Sequence, residues 1–346
     1  MNPEQLWTGV LMAVTPFLLF GLGGCYNIDT TSPLIFTDHH ADSRFGQALT
    51  LHQHGSETML VVGAPKGQCN YTDIVRGGVA YKCSFTNHNA SLAGNCTELQ
   101  LDNRGNDYSG LTGRQIYNKS DQWLGASMSS GGPNGSLVIC RPRYRYYFYK
   151  SYGAQQQQRD LLGGCFVLTQ ENFDTPNILL PCITGGDRRC QFGFSVDAKK
   201  DHIVYGAVGL GRQEGQFWRS DSNGEERQKR PTKKVGGTKD YTYMGYAVTS
   251  GDFKGDSDPE YAISVPRHKQ AFGKVVLYDS DLNEYNALEN GDMGSYFGHT
   301  LVTSDLNNDG YDDLMVGAPF FTDSFSTNGS LWELGKVFIY YNDRNL

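Results

Sequence analysis

The sequence carries little charge and has no excess of either sign that would define its partners. Of its 346 residues, 19% are charged, and the formal net charge is −7. A mildly acidic chain has no overall attraction for nucleic acid or for an anionic membrane. Beyond one apolar run near the N-terminus, no stretch of about 20 apolar residues could cross a bilayer. We therefore expect no nucleic-acid partner and no transmembrane anchor.

Patterns of the common enzyme families are also missing. The chain contains no GxSxG nucleophile elbow, no HExxH zinc motif and no phosphate-binding P-loop. His52 and His54 could share one face of a strand, but no third metal ligand accompanies them. These absences favour a protein without catalytic activity.

Glycine and aromatic residues, in contrast, are abundant. There are 42 glycines, 21 tyrosines and 18 phenylalanines. Clusters of Thr, Val, Tyr and Phe that are separated by glycine-containing turns are typical of short strands. The sequence therefore predicts an all-β protein. The polar stretches 87–113 and 151–160 are expected to be surface loops.

One pattern recurs along the chain. Phe45-Gly46 leads through an apolar strand to Gly63-Ala64-Pro65, and Phe297-Gly298 leads in the same way to Gly317-Ala318-Pro319. Three weaker copies lie between them, so that repeats begin near residues 45, 123, 192, 243 and 296. Units of about four strands at this period are expected to be blades of a β-propeller. An irregular β-sandwich is the alternative.

The N-terminus and the cysteines favour the secretory pathway. Residues 1–24 fit a signal peptide, because an apolar run at 10–20 precedes Gly21, Gly23 and Gly24. A buried strand, or lipidation of Cys25, are alternatives. The eight cysteines form no CxxC pair or zinc-type cluster, so disulfides are expected. Six glycosylation sequons are present, at Asn70, Asn89, Asn95, Asn118, Asn134 and Asn328.

The strongest local motif is an oxygen-rich loop at residues 305–313. It places side-chain oxygens at positions 1, 3, 5 and 9, with Gly310 at the sharp turn, as in an EF-hand loop. Strands flank this loop, and Val316 stands where an EF-hand has its glutamate. The motif thus predicts a calcium-binding β-hairpin loop, with a metal-free polar turn as the alternative. The predicted ligands are the side chains of Asp305, Asn307, Asp309 and Asp313 and the carbonyl of Tyr311.

A related stretch at 252–258 has Lys254 at a ligand position. Lysine is a cation and offers no oxygen. Calcium is therefore not predicted there.

The FG…GAP repeats, the DxNxDGxxD loop and the segment Cys25-Tyr26-Asn27-Ile28-Asp29-Thr30 together resemble the head of integrin alpha subunits. The likeness covers residues 26–346, within a domain of residues 25–346. It is greatest for the class without an inserted I domain, alpha-four and alpha-nine, on Asp121-Gln122-Trp123-Leu124-Gly125, Gly163-Gly164-Cys165 and Gly294-Ser295-Tyr296-Phe297-Gly298. It implies a seven-bladed propeller, of which this chain holds five blades.

The resemblance also implies a function. Such heads contain structural Ca²⁺, pair with an integrin beta subunit and bind extracellular-matrix or cell-surface ligands. The expected location is the cell surface, as part of an integrin complex. Because no transmembrane helix is present, this chain is expected to be secreted or to be a fragment. The alternatives are a truncated FG-GAP decoy and, less favoured, an FG-GAP enzyme of phospholipase type.

Individual residues receive roles from the same resemblance. Aromatic residues beside the FG motifs would line the central channel and accept a basic side chain of the beta subunit. The matching positions are Trp123, Phe194, Tyr246 and His299, whereas Gln47 departs from an aromatic residue. Ligand selectivity would involve Thr184, Asp187, Arg188 and Arg189. The implied disulfides are Cys83–Cys96, Cys140–Cys165 and Cys182–Cys190, which leaves Cys25 and Cys69 unassigned.

Overall fold

Almost all regular structure in this chain is antiparallel β-sheet. Two four-residue helical turns, α1 (Leu210–Gln213) and α2 (His268–Ala271), and one 3₁₀ turn at Pro181–Ile183 are the helical elements of the described residues. No helix in these parts has the length and apolar character needed to cross a membrane. The computed structural model describes residues 35–38, 40–84, 96–149, 157–183, 189–224, 241–289, 292–322 and 334–342.

The described residues contain 22 strands, numbered in chain order. They are β1 (Ala48–His54), β2 (Glu57–Ala64), β3 (Val79–Ser84), β4 (Cys96–Glu98), β5 (Asp107–Tyr108), β6 (Gln115–Asn118), β7 (Ser127–Ser130), β8 (Leu137–Cys140), β9 (Arg145–Tyr149), β10 (Gln157–Leu161), β11 (Cys165–Leu168), β12 (Asn177–Leu179), β13 (Phe192–Ala198), β14 (His202–Ala207), β15 (Gln216–Asp221), β16 (Val248–Gly251), β17 (Glu260–Ser264), β18 (Val275–Tyr278), β19 (Glu284–Leu288), β20 (Thr300–Ser304), β21 (Asp313–Ala318) and β22 (Lys336–Tyr340).

Five sheets follow one another as blades. Their strand orders are β1-β2-β3-β4, β7-β8-β11-β12, β13-β14-β15, β16-β17-β18-β19 and β20-β21-β22. We call the first strand of each blade its inner strand, and it lies at or directly after a predicted repeat start. The inner strands of consecutive blades are neighbours. The predicted all-β propeller with five repeats is confirmed.

A sixth sheet was not foreseen. Its order is β10-β9-β6-β5, and it combines the connection between the first two blades with an insertion inside the second blade. The stretches 87–113 and 151–160 were expected to be loops only, yet they supply β4, β5 and most of β10. The polar strand β10 forms because it pairs with the aromatic strand β9, a tertiary contact that outweighs local propensity.

The middle strands of the blades are buried on both faces. In β8, Val138 packs towards the third blade, whereas Leu137 and Ile139 pack towards the first. In β17, Ile263 packs towards the third blade and Ala262 towards the fifth. Successive side chains of a strand point to opposite faces, so a continuous apolar run joins two neighbours. Each such valine, leucine or isoleucine contributes roughly 1.5–3 kcal/mol by its burial.

Consecutive blades also meet backbone to backbone. In four places, the glycine that precedes the third strand of a blade forms a parallel bridge with the residue before the FG-type glycine of the next repeat. Gly215 has φ +82°, and a Cβ built on it would lie 2.6 Å from the nitrogen of Met244. Only glycine fits both the conformation and the space. The bridges are Gly78–Leu124, Gly163–Phe192, Gly215–Met244 and Gly273–Phe297.

A polar contact joins the first two blades. His52 in β1 is 2% exposed, and its Nδ1 lies 2.9 Å from the hydroxyl oxygen of Ser130 in β7. Its ring also stacks on Phe173 at 5.9 Å. Burial, with a smaller contribution from His54, lowers the pKa of His52 from 6.5 to about 4. His52 is therefore neutral in the folded chain at neutral pH.

Three disulfides are present, Cys83–Cys96 between β3 and β4, Cys140–Cys165 between β8 and β11, and Cys182–Cys190. This is the pairing that the resemblance implies. Cys69 is a free, half-buried thiol among the described residues, and Cys25 lies outside them.

The glycine bridges predict a position-specific cost of adding one methyl group. Gly215→Ala should destabilise the chain far more than Gly294→Ala, because Gly294 has a similar φ of +81° but no neighbour within 4 Å of its Cβ position. The control carries only the strain of a left-handed alanine, about 1–2 kcal/mol. Gly215→Ala adds a backbone clash worth about 1–3 kcal/mol more. Equal urea midpoints for the two variants would contradict the close approach.

His52 predicts a pH dependence of stability. The unfolded chain binds a proton to this histidine below pH 6.5, whereas the folded chain does so only near pH 4. The free energy of unfolding should therefore fall as pH drops through this window, by about 2 kcal/mol at pH 5 from this residue. Urea titrations should show a flatter pH profile for His52→Gln. The exposed His40→Gln variant is the control, and a profile unchanged by His52→Gln would refute the assignment.

Candidate functional site

The oxygen-rich loop at 305–313 joins β20 to β21 in the fifth blade. Its first carboxylate, Asp305, accepts the backbone N–H of Asp309 at 3.1 Å and that of Gly310 at 2.9 Å. The Asp309 N–H also donates to the amide oxygen of Asn307 at 3.1 Å. The Asp309 carboxylate in turn accepts the Tyr311 N–H at 3.0 Å. The oxygens at positions 1, 3 and 5 are thus gathered by the backbone of the loop itself.

The carboxylate at position 9 anchors the loop. Asp313 is fully buried, and it accepts the N–H of Leu306 at 2.9 Å and that of Asn342 at 2.8 Å. Gly310, with φ +88°, makes the sharp turn that the motif predicts. A preformed turn lined by carboxylate and amide oxygens is the donor set that a hard cation such as Ca²⁺ prefers. The residue types of this loop are therefore the ones that such an ion prefers.

A second loop of the same kind, at 252–260, joins β16 to β17 in the fourth blade. Carboxylate oxygens of Asp252, Asp256 and Glu260 lie within 4.8 Å of one another. The stretch identified in the sequence ended at residue 258 and did not include Glu260. The spacing from Asp252 to Glu260, however, equals that from Asp305 to Asp313. Burial raises the pKa of Glu260, and the ammonium of Lys254 acts in the opposite direction.

The two loops are in direct contact. The N–H of Asp252 donates to the Asp312 carboxylate at 2.9 Å, and the Asp312 N–H donates to the Asp252 carbonyl at 3.0 Å. The ring of Tyr311 lies against Gly255, where a Cβ would come within 2.7 Å of the ring. The fourth and fifth blades are therefore coupled at this end of the propeller.

At the other end of the inner strands, aromatic rings form a row. Phe194, Tyr246 and His299 each follow an FG-type glycine, and we call them the aromatic row. Ring centroids lie 5.0 Å apart for Phe194 and Tyr246 and 5.3 Å apart for Tyr246 and His299. Burial lowers the pKa of His299, so its ring is uncharged at neutral pH. Three of the four predicted beta-subunit contacts are thus brought together.

Trp123 occupies a different position. It lies two residues before Gly125, as Tyr243 lies two residues before its own glycine, and both have positive φ. Arg143 lies over the Trp123 ring at 4.8 Å, and Arg267 lies over the Tyr243 ring at 5.0 Å. These two rings already hold a cation of the same chain. Among the described residues, no cation lies over a ring of the aromatic row.

Of the predicted ligand-binding loop, the structure describes Arg189 alone. Thr184, Asp187 and Arg188 lie outside the described residues. Arg189 lines a cavity of about 380 Å³ together with Arg159. The cavity adjoins the start of β13, at the same end of the propeller as the aromatic row. Its other lining residues are Leu161, Gln191, Gly209, Gln213 and Tyr241.

The glycosylation sequons differ in accessibility. Asn70 and Asn134 are exposed, whereas Asn118 is half-buried in β6, with its amide group donating to Gln115 at 3.3 Å. Asn89, Asn95 and Asn328 lie outside the described residues, as do residues 1–24.

Comparison with known proteins defines the class first. The FG-GAP repeat family matches residues 297–334, which contain the fifth repeat and its oxygen-rich loop. With the five blades described above, the chain is an FG-GAP β-propeller.

The relatives then identify the family. The chain is 32% identical over 338 residues to human integrin alpha-8, 31% identical over 339 residues to chicken integrin alpha-V, and 28% identical over 362 residues to integrin alpha-5 of Xenopus laevis. The alignments cover 91%, 91% and 98% of this chain and 31%, 31% and 33% of the relatives. This chain is a homologue of the head of integrin alpha subunits, as predicted. It spans about a third of the length of the curated relatives it matches.

The finer likeness to the alpha-four and alpha-nine class stays a prediction. Among solved structures, a glycoside hydrolase covers 84% of this chain and is covered to 85%, at a TM-score of 0.32 and 13% identity. A similarity this low carries no argument about fold or chemistry.

Proposed function

We propose that this chain is an integrin alpha-subunit head that pairs with an integrin beta subunit at the cell surface. Together, the two subunits bind an extracellular-matrix or cell-surface ligand, without catalysis. The observation that carries the proposal is the similarity to integrin alpha subunits over 91–98% of the chain. Structural Ca²⁺ in the 305–313 loop stabilises the head.

The aromatic row is the proposed contact for the beta subunit. A basic side chain placed over an aromatic face gains about 0.5–2 kcal/mol of interaction free energy, and the gain is larger when water is excluded from the contact. Phe194, Tyr246 and His299 offer uncharged, half-buried faces that this chain does not cover with a cation of its own in the described parts. Trp123 extends the proposed surface, but Arg143 already occupies its face.

The loop that ends at Arg189 is the proposed ligand-binding loop, with Thr184, Asp187 and Arg188 alongside. Arg189 and Arg159 line one cavity, and arginine is the side chain best suited to bind a carboxylate of a protein ligand. The neighbouring Gln191 and Gln213 offer amide groups for further hydrogen bonds. An acidic side chain of the ligand is therefore the group that we expect to enter this cavity.

Calcium has a structural role in this proposal. The carboxylates of Asp305, Asp309 and Asp313, with the amide of Asn307, crowd one short turn. Their repulsion is relieved when a divalent cation occupies the turn, with the Tyr311 carbonyl as a further ligand. For extracellular modules, the expected Kd is on the order of 10⁻⁴ to 10⁻³ M.

The calcium proposal predicts different behaviour for two aspartates of one loop. Asp309→Ala should lower the thermal midpoint much more in millimolar calcium than in chelator, because without the ion the variant loses the acceptor of the Tyr311 N–H and of the Asn307 amide but no metal contact. Asp313→Ala should lower the midpoint in both conditions, because two backbone N–H groups lose their acceptor. Differential scanning fluorimetry measures both. An equal effect of Asp309→Ala with and without calcium would argue against a metal site.

The pairing proposal predicts a contrast between matched tyrosines. Tyr246→Ala should reduce the affinity for an integrin beta subunit on the order of tenfold, because a cation–π contact is lost. Tyr243→Ala should have a much smaller effect, because Arg267 covers that ring. Trp123→Ala should also have a small effect, because Arg143 covers the Trp123 ring. Co-precipitation of co-expressed subunits, normalised to folded chain, measures this, and equal losses for both tyrosines would remove the aromatic row from the interface.

A further inference from the structure

The loops at 252–260 and 305–313 share three backbone hydrogen bonds at an offset of 53 positions, from Asp252 to Asp305. Asp252 accepts the N–H groups of the fifth and sixth loop residues at 3.2 and 3.0 Å, and Asp305 accepts the corresponding groups at 3.1 and 2.9 Å. Glu260 accepts the N–H of the second residue at 2.9 Å, as Asp313 does at 2.9 Å. The fourth blade therefore contains the turn of a cation loop.

The two loops differ at the third position, where an EF-hand-like turn supplies an oxygen. Asn307 has an amide oxygen there, whereas Lys254 has only donors. The Lys254 ammonium lies 3.2 Å from Oε1 of Glu260 and 5.0 Å from the centre of the Tyr285 ring. The side chain thus brings a positive charge to the loop in place of a ligand.

Glu260 needs that charge. Its side chain is fully buried, and its Oε2 accepts the N–H groups of Phe253 at 2.9 Å and Lys254 at 3.1 Å. Its Oε1 has no well-aligned hydrogen bond within the described residues, and the ammonium is the cation that faces it. A buried carboxylate with Asp252 and Asp256 nearby is costly unless a cation compensates it.

We infer that the 252–260 loop is a cation loop whose cation is the Lys254 ammonium, and that it closes without calcium. The ammonium is tethered to the loop, so no free ion has to be captured from solution. Calcium would have to displace it, and would find one oxygen ligand fewer. This inference concerns the fourth blade and does not depend on calcium binding in the fifth.

One consequence follows for the neighbouring loop. The reciprocal hydrogen bonds between Asp252 and Asp312 rest on the 252–260 turn. If the ammonium holds that turn, removal of calcium leaves it in place. The 305–313 loop of the fifth blade then contacts a turn whose conformation does not depend on calcium.

The test is to count bound calcium ions in the full chain with Lys254 replaced. Lys254→Asn restores the amide found at the third position of the other loop, and Lys254→Met removes the charge without adding a ligand. Each Lys254 variant is made in the native chain and in the Asp309→Ala chain. Asp309→Ala removes the fifth-blade loop from the number of bound calcium ions. Equilibrium dialysis with radioactive calcium, up to several-fold above a Kd on the order of 10⁻³ M, gives the stoichiometry.

We expect Lys254→Asn to bind one calcium ion more than the native chain, in both backgrounds. In the double variant, Asp256→Ala should abolish this added site. Lys254→Met should add no site and should lower the thermal midpoint equally in calcium and in chelator. A lower midpoint of Lys254→Met with an unchanged number of bound calcium ions shows that the charge of Lys254 stabilises the loop. This conclusion holds even if Lys254→Asn folds poorly.

Two results would overturn the inference. The first concerns the Asp309→Ala chain with native Lys254. If this chain binds calcium and loses it when Asp256→Ala is added, the 252–260 loop is an ordinary metal site. The second is a Lys254→Met variant as stable as the native chain in chelator, because the ammonium would then compensate nothing. Absence of calcium from the native fifth-blade loop would contradict the calcium proposal above but not this inference.

Discussion

The contact on which the rest of the structure depends is the backbone bridge between consecutive blades. At Gly215 and Met244, and at three equivalent places, the main chain of one blade lies too close to the next for any side chain. The bridge fixes where each FG-type motif sits, and hence where each inner strand begins. Apolar residues such as Val138 then fill the space between blades. Packing supplies most of the stability, but the bridge sets the register between repeats.

The same register separates two kinds of chemistry. Each inner strand begins beside the FG motif, where the aromatic row and the loop ending at Arg189 lie. In the fourth and fifth blades, it ends at a hairpin that carries an oxygen-rich loop, and β20 lies between His299 at one end and Asp305 at the other. The proposed partner contacts and the proposed cation loops are therefore at opposite ends of the propeller. A loss of calcium is therefore expected to weaken pairing by lowering the stability of the head, and not by removing a contact to the beta subunit.

Much of this could be predicted from the sequence. The FG motifs gave the five blades, and the spacing of Asp305 to Asp313 gave the loop, because both patterns are local. The sixth sheet could not be predicted, because the polar residues of β10 form a strand only against the aromatic residues of β9. The pairing of Lys254 with Glu260 also depends on the fold, because the two charges meet only when the 252–260 turn has closed. The placement of Trp123 with Arg143 rather than in the aromatic row also needed the fold.

Pairing of the unaltered chain with a beta subunit can be measured directly. The chain would be expressed with integrin beta subunits and precipitated through the beta subunit, in millimolar calcium and in chelator. We expect a complex in calcium that weakens in chelator, because the head is less stable when the fifth-blade loop loses its cation. A folded chain that associates with no beta subunit in either condition would contradict its assignment as an integrin alpha-subunit head.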